Sequence, residues 1–178
     1  MRFVGIDPST KTGFVALNDA GTVLRAKELT GVGSQDPKRM ITMIDEIMAH
    51  IQKDDFIVIE GFGYSTTQGI QLGGIGWGIR MALVRRGFSY IEASPSQLKK
   101  FASGKGNTAK DALAVDIYKT FGFEHTSDNA RDAYVLAEIG RCLKLKNITR
   151  YKYQLEVLDA IINPVAKPKK KKKKVAKS

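Results

Sequence analysis

The chain has 178 residues, 43% of them hydrophobic, and a formal net charge of +11 from 29 Lys+Arg against 18 Asp+Glu. Residues 164–178 hold eight lysines and no acid, so +8 of that excess belongs to the tail and residues 1–163 are only mildly basic at +3. A single cysteine excludes an internal disulfide framework and a cysteine-rich zinc site, and no apolar run reaches the roughly 18 residues of a membrane span. A soluble protein of a reducing compartment, with one sizeable core, is expected.

Arg2 to Ile6 alternate apolar residues ahead of Asp7. Gly13 to Leu17, the turn Asn18-Asp19-Ala20-Gly21, and Thr22 to Leu29 repeat the strand–turn–strand pattern, so three consecutive strands open the domain. From Pro37 the period changes: Met40, Ile44, Ile47, Met48 and Ile51 share one face of an amphipathic helix, with the methionines as core filler. Phe56 to Ile59 form a short, fully apolar run, the pattern of a central strand buried on both faces, and it ends on Glu60. Glycines 61, 63, 69, 73, 74, 76 and 78 then lead into a helical segment, Ile79 to Arg86. Such a density implies close backbone approach to a second subunit, a neighbouring helix or a substrate backbone. Trp77 is expected in the core.

Phe88 to Ile91 read as another strand, Ser94-Pro95 opens a short helix, and Ser103 to Asn107 form a loop. Thr108 to Phe121 and Asp128 to Leu145 follow as helices, each preceded by turn chemistry. A further helix over Tyr151 to Ile162, with Leu155, Leu158 and Ile162 at apolar spacing, ends before Pro164. Strands first, then strands alternating with helices, indicate an α/β fold around a mixed sheet. The expected organisation is a domain over 1–146, a helical extension over 147–163, and a disordered lysine-rich tail over 164–178.

The acids carry the chemistry. Asp7 and Glu60 each end a strand, and Asp128 and Asp132 lie four residues apart, about 40° apart on one helix face. Ala133, Ala137 and Gly140 make that part of the helix small enough to approach the sheet closely. If all four acids converge, two of them about 4 Å apart repel by about 4 kcal/mol at an effective dielectric of 20. Such a cluster needs cations, and oxygen ligands with open water positions suit Mg²⁺. Each acid also has a plainer role: Asp7 before Pro8 can start a turn, and Asp128 after Ser127 can cap a helix.

Taken together, these motifs resemble those of the RuvC-type Holliday junction resolvases, most closely their phage-encoded relatives, within the ribonuclease H-like nuclease superfamily. Gly5-Ile6-Asp7-Pro8-Ser9-Thr10-Lys11-Thr12-Gly13 matches the family's first strand with its catalytic Asp, and Ile57-Val58-Ile59-Glu60 its second acidic strand. Pro95 to Lys100, with Gly104-Lys105-Gly106 and Ala109-Lys110, matches the basic loop, and Asp128-Asn129-Ala130-Arg131-Asp132-Ala133 the last acidic helix. The resemblance spans about residues 1–145. It implies a ribonuclease H-like fold: a central mixed five-stranded sheet, its first three strands antiparallel, with helices on both faces. It also implies a homodimer that hydrolyses phosphodiesters of four-way or related branched DNA with two Mg²⁺ ions per site, Mn²⁺ substituting. Asp7, Glu60 and Asp132 fall on metal-ligand positions, and Lys99 and Lys110 on DNA-binding positions.

Two departures stand out. Well-known members place an acid or histidine three residues before the final Asp, where this chain has Asn129; Asp128, one residue earlier, is taken as the fourth ligand. The junction-wedging aromatic corresponds to Gly63, so Phe62 and Tyr64 are the candidates beside it. Lys100 and Lys105 extend the basic loop, where glycines 104 and 106 are expected to expose backbone N–H groups to a phosphate. The competing expectations are a non-catalytic binder of branched DNA or of nucleic acid in general, and a ribonuclease or transposase-like nuclease. A pure binder has no reason to turn four carboxylates toward phosphate. A phage origin implies the host bacterial cytoplasm, although the lysine run also resembles a nuclear import signal.

Overall fold

Five strands form one mixed sheet: β1 (Arg2–Asp7), β2 (Thr12–Leu17), β3 (Val23–Leu29), β4 (Asp55–Glu60) and β5 (Tyr90–Ala93), in the order β3-β2-β1-β4-β5. The structure is a computed structural model and describes residues 1–63, 69–145 and 148–164. Tight turns keep β1, β2 and β3 antiparallel, whereas β1–β4 and β4–β5 are parallel. Parallel neighbours need long crossovers. Helix α1 (Lys38–His50) lies in the first and α2 (Gly69–Arg85) in the second.

The two-residue period of the strands sorts the core into two layers. Val4, Ile6, Phe14, Ala16, Ile57 and Ile59 pack against α1 and α2. Phe3, Val15, Leu17 and Val58 face the other way, onto helices α3 (Pro95–Ser103), α4 (Lys110–Phe121), α5 (Asp128–Lys144) and α6 (Lys152–Ile162). Each of these valine, leucine, isoleucine and phenylalanine side chains, fully buried, contributes about 1.5–3 kcal/mol through removal from water. The expected α/β architecture with helices on both faces is the one observed. Among the described residues no helix is long and apolar enough to cross a membrane.

Helix α5 lies on the sheet backbone to backbone. A Cβ on Gly5 would overlap the Ala133 carbonyl oxygen, and one on Gly13 the Asn129 carbonyl. Helix α3 starts at a capping box formed by Ser94 and Gln97, with proline in its first turn, and stops at Gly104 in the left-handed conformation (φ 81°). Helix α6 docks on it through Gln154, which donates to the Phe101 carbonyl at 3.4 Å. The apolar face of α6 differs from the expected one. Val157 and Leu158 are buried, while Leu155 and Ile162 lie in solvent, because α3 meets the helix from the side of Gln154.

Two expectations about the glycine-rich stretch are corrected. Five of its seven glycines, from Gly69 to Gly78, lie inside α2, which starts at Gly69 rather than near Ile79. Gly74 faces Met40 and Gly78 faces Ile44 of α1, and Gly76 makes room for the Phe62 ring. Trp77 is not in the core but 57% exposed, since Gly76, Ile79 and Arg80 take the inward positions of α2. With Met81 and Val84 it forms an apolar outer stripe.

Candidate active site

Sheet parity aims the first two acids. Phe3, Gly5 and Asp7 alternate onto the α5 face of β1, and Phe56, Val58 and Glu60 do the same on β4. Ile6 pairs with Ile59, so the residues that follow, Asp7 and Glu60, end adjacent parallel strands side by side. They turn onto the face covered by α5. The bare Gly5 and Gly13 bring the N-terminal half of α5 onto this face, and Asp132 with it.

The Asp7 and Glu60 carboxyls lie within hydrogen-bonding reach of each other. Asp7 is 6% exposed, and burial, reinforced by repulsion from Glu60, holds its carboxyl well above the usual range. Burial also raises Glu60, with Asp132 adding repulsion. Asp132 is pushed up to about 7, first by burial and then by the Asp7 carboxylate. Among the described residues, none of these three acids has a lysine, arginine or histidine within ion-pairing distance. Lys110 eases the charge on all three from further off, and Lys99 that on Glu60.

Asp128 differs from them in having cationic partners, although its charge still adds to the repulsion on Asp132. Ser127, not Asp128, caps α5, its hydroxyl accepting from the Ala130 N–H at 3.2 Å. Asp128 pairs with Arg131 and, at 3.6 Å, with Lys110, and is 44% exposed. It lines a shallow cleft with Lys99, Lys110, Arg131 and Asp132, so it borders the buried acids but reaches them with its charge already matched. Asn129 points elsewhere, donating to the Lys11 carbonyl at 2.8 Å.

The basic residues divide. Lys99 and Lys110 flank the acids, whereas Lys100 reaches the other way to Glu156 of α6 at 2.8 Å. Lys105 is exposed on the loop that Ser103 and Thr108 tighten by donating to its carbonyl. The Gly104 N–H is not open to a phosphate as expected: it closes α3 by donating to the Lys100 carbonyl at 2.8 Å. Phe62 is half-buried against Trp77, ring centroids 5.3 Å apart, and Tyr64 lies outside the described residues. Sequence reasoning missed Arg131, although it stands inside the acidic motif; Arg80, by sequence a weaker candidate for DNA contact or a solvated charge at a helix end, is instead buried and is taken up below.

The donor set suits a hard divalent cation. It consists of carboxylate oxygens only, buried at Asp7 and half-buried at Glu60 and Asp132, mutually repelling and without a cationic partner among the described residues. As they stand, no three acidic, histidine or cysteine side chains among the described residues are close enough to hold one ion. The Asp7–Glu60 contact supplies two donors, and the repulsion between them is what positive charge at this place would relieve.

A five-stranded sheet of this order, with a closing acidic helix laid across its centre, defines a ribonuclease H-like, RuvC-like fold. The chain is similar to the structure of Thermus thermophilus RuvC, with a TM-score of 0.58, 19% identity, and coverage of 77% of this chain and 91% of that one. It is equally similar to T. thermophilus RuvC in complex with Holliday junction substrate, with a TM-score of 0.58, 21% identity, and coverage of 77% and 90%. No protein-family model and no curated protein matches the sequence.

Proposed function

We propose that the protein is a metal-dependent, structure-selective endonuclease that resolves four-way junctions and related branched DNA. The observation that carries this reading is the turning of Asp7, Glu60 and Asp132 onto one face of the sheet, without a cationic partner among the described residues, beside Lys99 and Lys110. T. thermophilus RuvC, of similar fold, has been seen in complex with Holliday junction substrate. Asp7 and Glu60 would hold divalent metal together, Asp132 would complete the set, and Asp128 would join it on release from Lys110 and Arg131. Two bound Mg²⁺ ions would supply an activated water and stabilisation of charge on the phosphate and the leaving 3′-oxygen. Lys99 and Lys110 would orient the scissile phosphate and Lys105 would extend the contact along the backbone, while Lys100, turned to Glu156, takes no part in it. A homodimer belongs to this reading, with the outer stripe of α2 as the apolar surface available for it. So do the phage-encoded branch and a bacterial cytoplasm, both resting on the sequence motifs.

The test is incubation with Mg²⁺ and labelled four-way, Y-shaped and linear DNA. Paired nicks in the four-way form, with linear DNA uncut, are expected. Binding without cleavage in either Mg²⁺ or Mn²⁺ would favour a non-catalytic binder.

The raised carboxyls carry a pH signature. Unfolded carboxylates titrate near about 4, below the folded values of all three acids. Their contribution to stability is therefore fully present below about pH 4 and is lost as pH rises through the folded values, about 7 for Asp132. Metal binding removes this penalty, so the rise in Tm produced by Mg²⁺ should be larger at about pH 8 than at about pH 6. Differential scanning fluorimetry reads it; an Mg²⁺ effect independent of pH would speak against the acids as ligands.

The lysine tail, of which residues 165–178 lie outside the described residues, is proposed as a sequence-independent tether. Deleting 164–178 should flatten the salt dependence of DNA binding by about 0.9 log unit per lost phosphate contact and leave unchanged which branched form is cut. Gel-shift titrations over a salt series measure the slope; lost junction selectivity would contradict this role.

A further inference from the structure

Arg80 is 2% exposed and heads the fully buried side chains by size. A buried guanidinium is tolerated only when its donors are matched. Its Nη2 donates to the Glu60 carbonyl oxygen at 2.9 Å, its Nη1 to the Gly76 carbonyl at 3.0 Å, and its Nε to the Glu92 carboxylate at 2.6 Å. The Phe62 ring lies 4.3 Å from the guanidinium carbon and the Tyr90 ring 5.9 Å. Gly76 completes the cage, because a Cβ there would stand 2.6 Å from the Phe62 ring and 3.2 Å from Nη1.

The placement matters more than the charge. Arg80 approaches from α2, while the Glu60 side chain turns to the α5 face, so the guanidinium bonds the backbone of Glu60 and leaves its carboxylate to the acid cluster. Glu60 is the last residue of β4, where the sheet stops fixing the chain. Its neighbour Gly61 is tied on one side to β5, donating to the Ala93 carbonyl at 2.8 Å. Arg80 ties the Glu60 carbonyl to α2 and, through Glu92, to β5 again. One side chain thus fixes the peptide from which a candidate metal ligand projects, and the ring two residues later.

We propose that Arg80 is a positioning residue for Glu60 and Phe62: it sets the direction of the Glu60 carboxylate without touching DNA or metal. This inference rests on the nuclease reading above. A lysine keeps the charge but not the three-way fork, and methionine keeps much of the volume with neither.

The experiment compares full-length wild type, Arg80→Lys and Arg80→Met on a four-way DNA junction. It records thermal midpoint, junction affinity without Mg²⁺, single-turnover cleavage at saturating protein, and the Mg²⁺ concentration for half-maximal rate. Folded Arg80→Met should bind the junction within about threefold of wild type, since phosphate contacts set affinity. It should cleave about 100-fold more slowly, the effect of displacing a reacting group by about 1 Å, and require more Mg²⁺. Arg80→Lys should recover part of both. A folded Arg80→Met with wild-type rate and Mg²⁺ requirement overturns the proposal, as does a rate loss no larger than its loss of affinity. If Arg80→Met does not fold, Arg80→Lys carries the same test, and wild-type behaviour there overturns it. Failure of the wild type to cut any branched DNA overturns the nuclease reading and this inference together; a cleaving wild type matched by the variant overturns the inference alone.

Discussion

Asp7→Asn should abolish junction cleavage while leaving junction binding intact. The substitution preserves shape at a buried position and removes the carboxylate that contacts Glu60 and repels Asp132. Loss of one member of a catalytic set that acts as a unit costs at least about 1,000-fold in turnover. Binding should persist, or tighten slightly, because Lys99 and Lys110 are untouched and one negative charge facing phosphate is gone. The variant should also fold at least as well as wild type in the absence of metal, since a buried acid held above its usual range is a liability there. Single-turnover cleavage beside gel-shift affinity on the same junction decides the matter. Equal losses in both would withdraw the catalytic role.

The second large effect is structural and reaches the site indirectly. Gly5→Ala should cost about 3 kcal/mol or more, the upper part of the range for over-packing. Its Cβ would meet the Ala133 carbonyl and the Ala137 N–H, which are backbone and cannot rotate away. For a chain of this size each kcal/mol lowers Tm by about 2–4 °C. Thermal denaturation therefore measures it, with Gly73→Ala as control. Gly73 has open space around it within α2, so alanine there should be neutral or stabilising by up to about 1 kcal/mol. In whatever fraction of Gly5→Ala folds, α5 must rise from the sheet and carry Asp132 away from Asp7. Mg²⁺ should then raise its Tm less than that of wild type. A Gly5→Ala protein as stable as wild type would mean that α5 does not sit where it is described.

The sheet and its strand-end acids were legible in the sequence because alternation, turns and caps are local signals. Phe56 to Ile59, an apolar run closing on Glu60, needed no tertiary knowledge to be read as a central strand. What local signals could not reveal is who meets whom across the chain. Trp77 looks like a core residue by its chemistry, but its place on α2 is decided by the inward turn of Ile79 and Arg80. Lys100 belongs by sequence to the same basic loop as Lys99, yet one helix position turns it to Glu156. Asp128 reads as a ligand or a cap, and only the packing of α4 beside α5 brings Lys110 to its carboxylate. Arg80, which looks like one of several helix-end arginines, is held in the interior by Glu92 and the Glu60 carbonyl, both on other elements, and by the Gly76 carbonyl of its own helix. The site acids themselves became a cluster only through the register of β1 with β4 and the bare glycines beneath α5.

That register also limits how the protein can drift. The alternation that turns Phe3, Gly5 and Asp7 toward α5 turns Val4 and Ile6 toward α1 and α2. Deleting one residue within β1 would swap the two sets at a stroke, carrying the acid to the wrong layer and a bulky side chain under α5. Loss of chemistry and loss of fold would arrive as a single event. Gradual exchange of one aliphatic residue for another is therefore open to this strand, while changes in its length are closed. Length variation should accumulate in connections such as the segment between β3 and α1, which bears on neither the parity of the sheet nor the meeting of its acids.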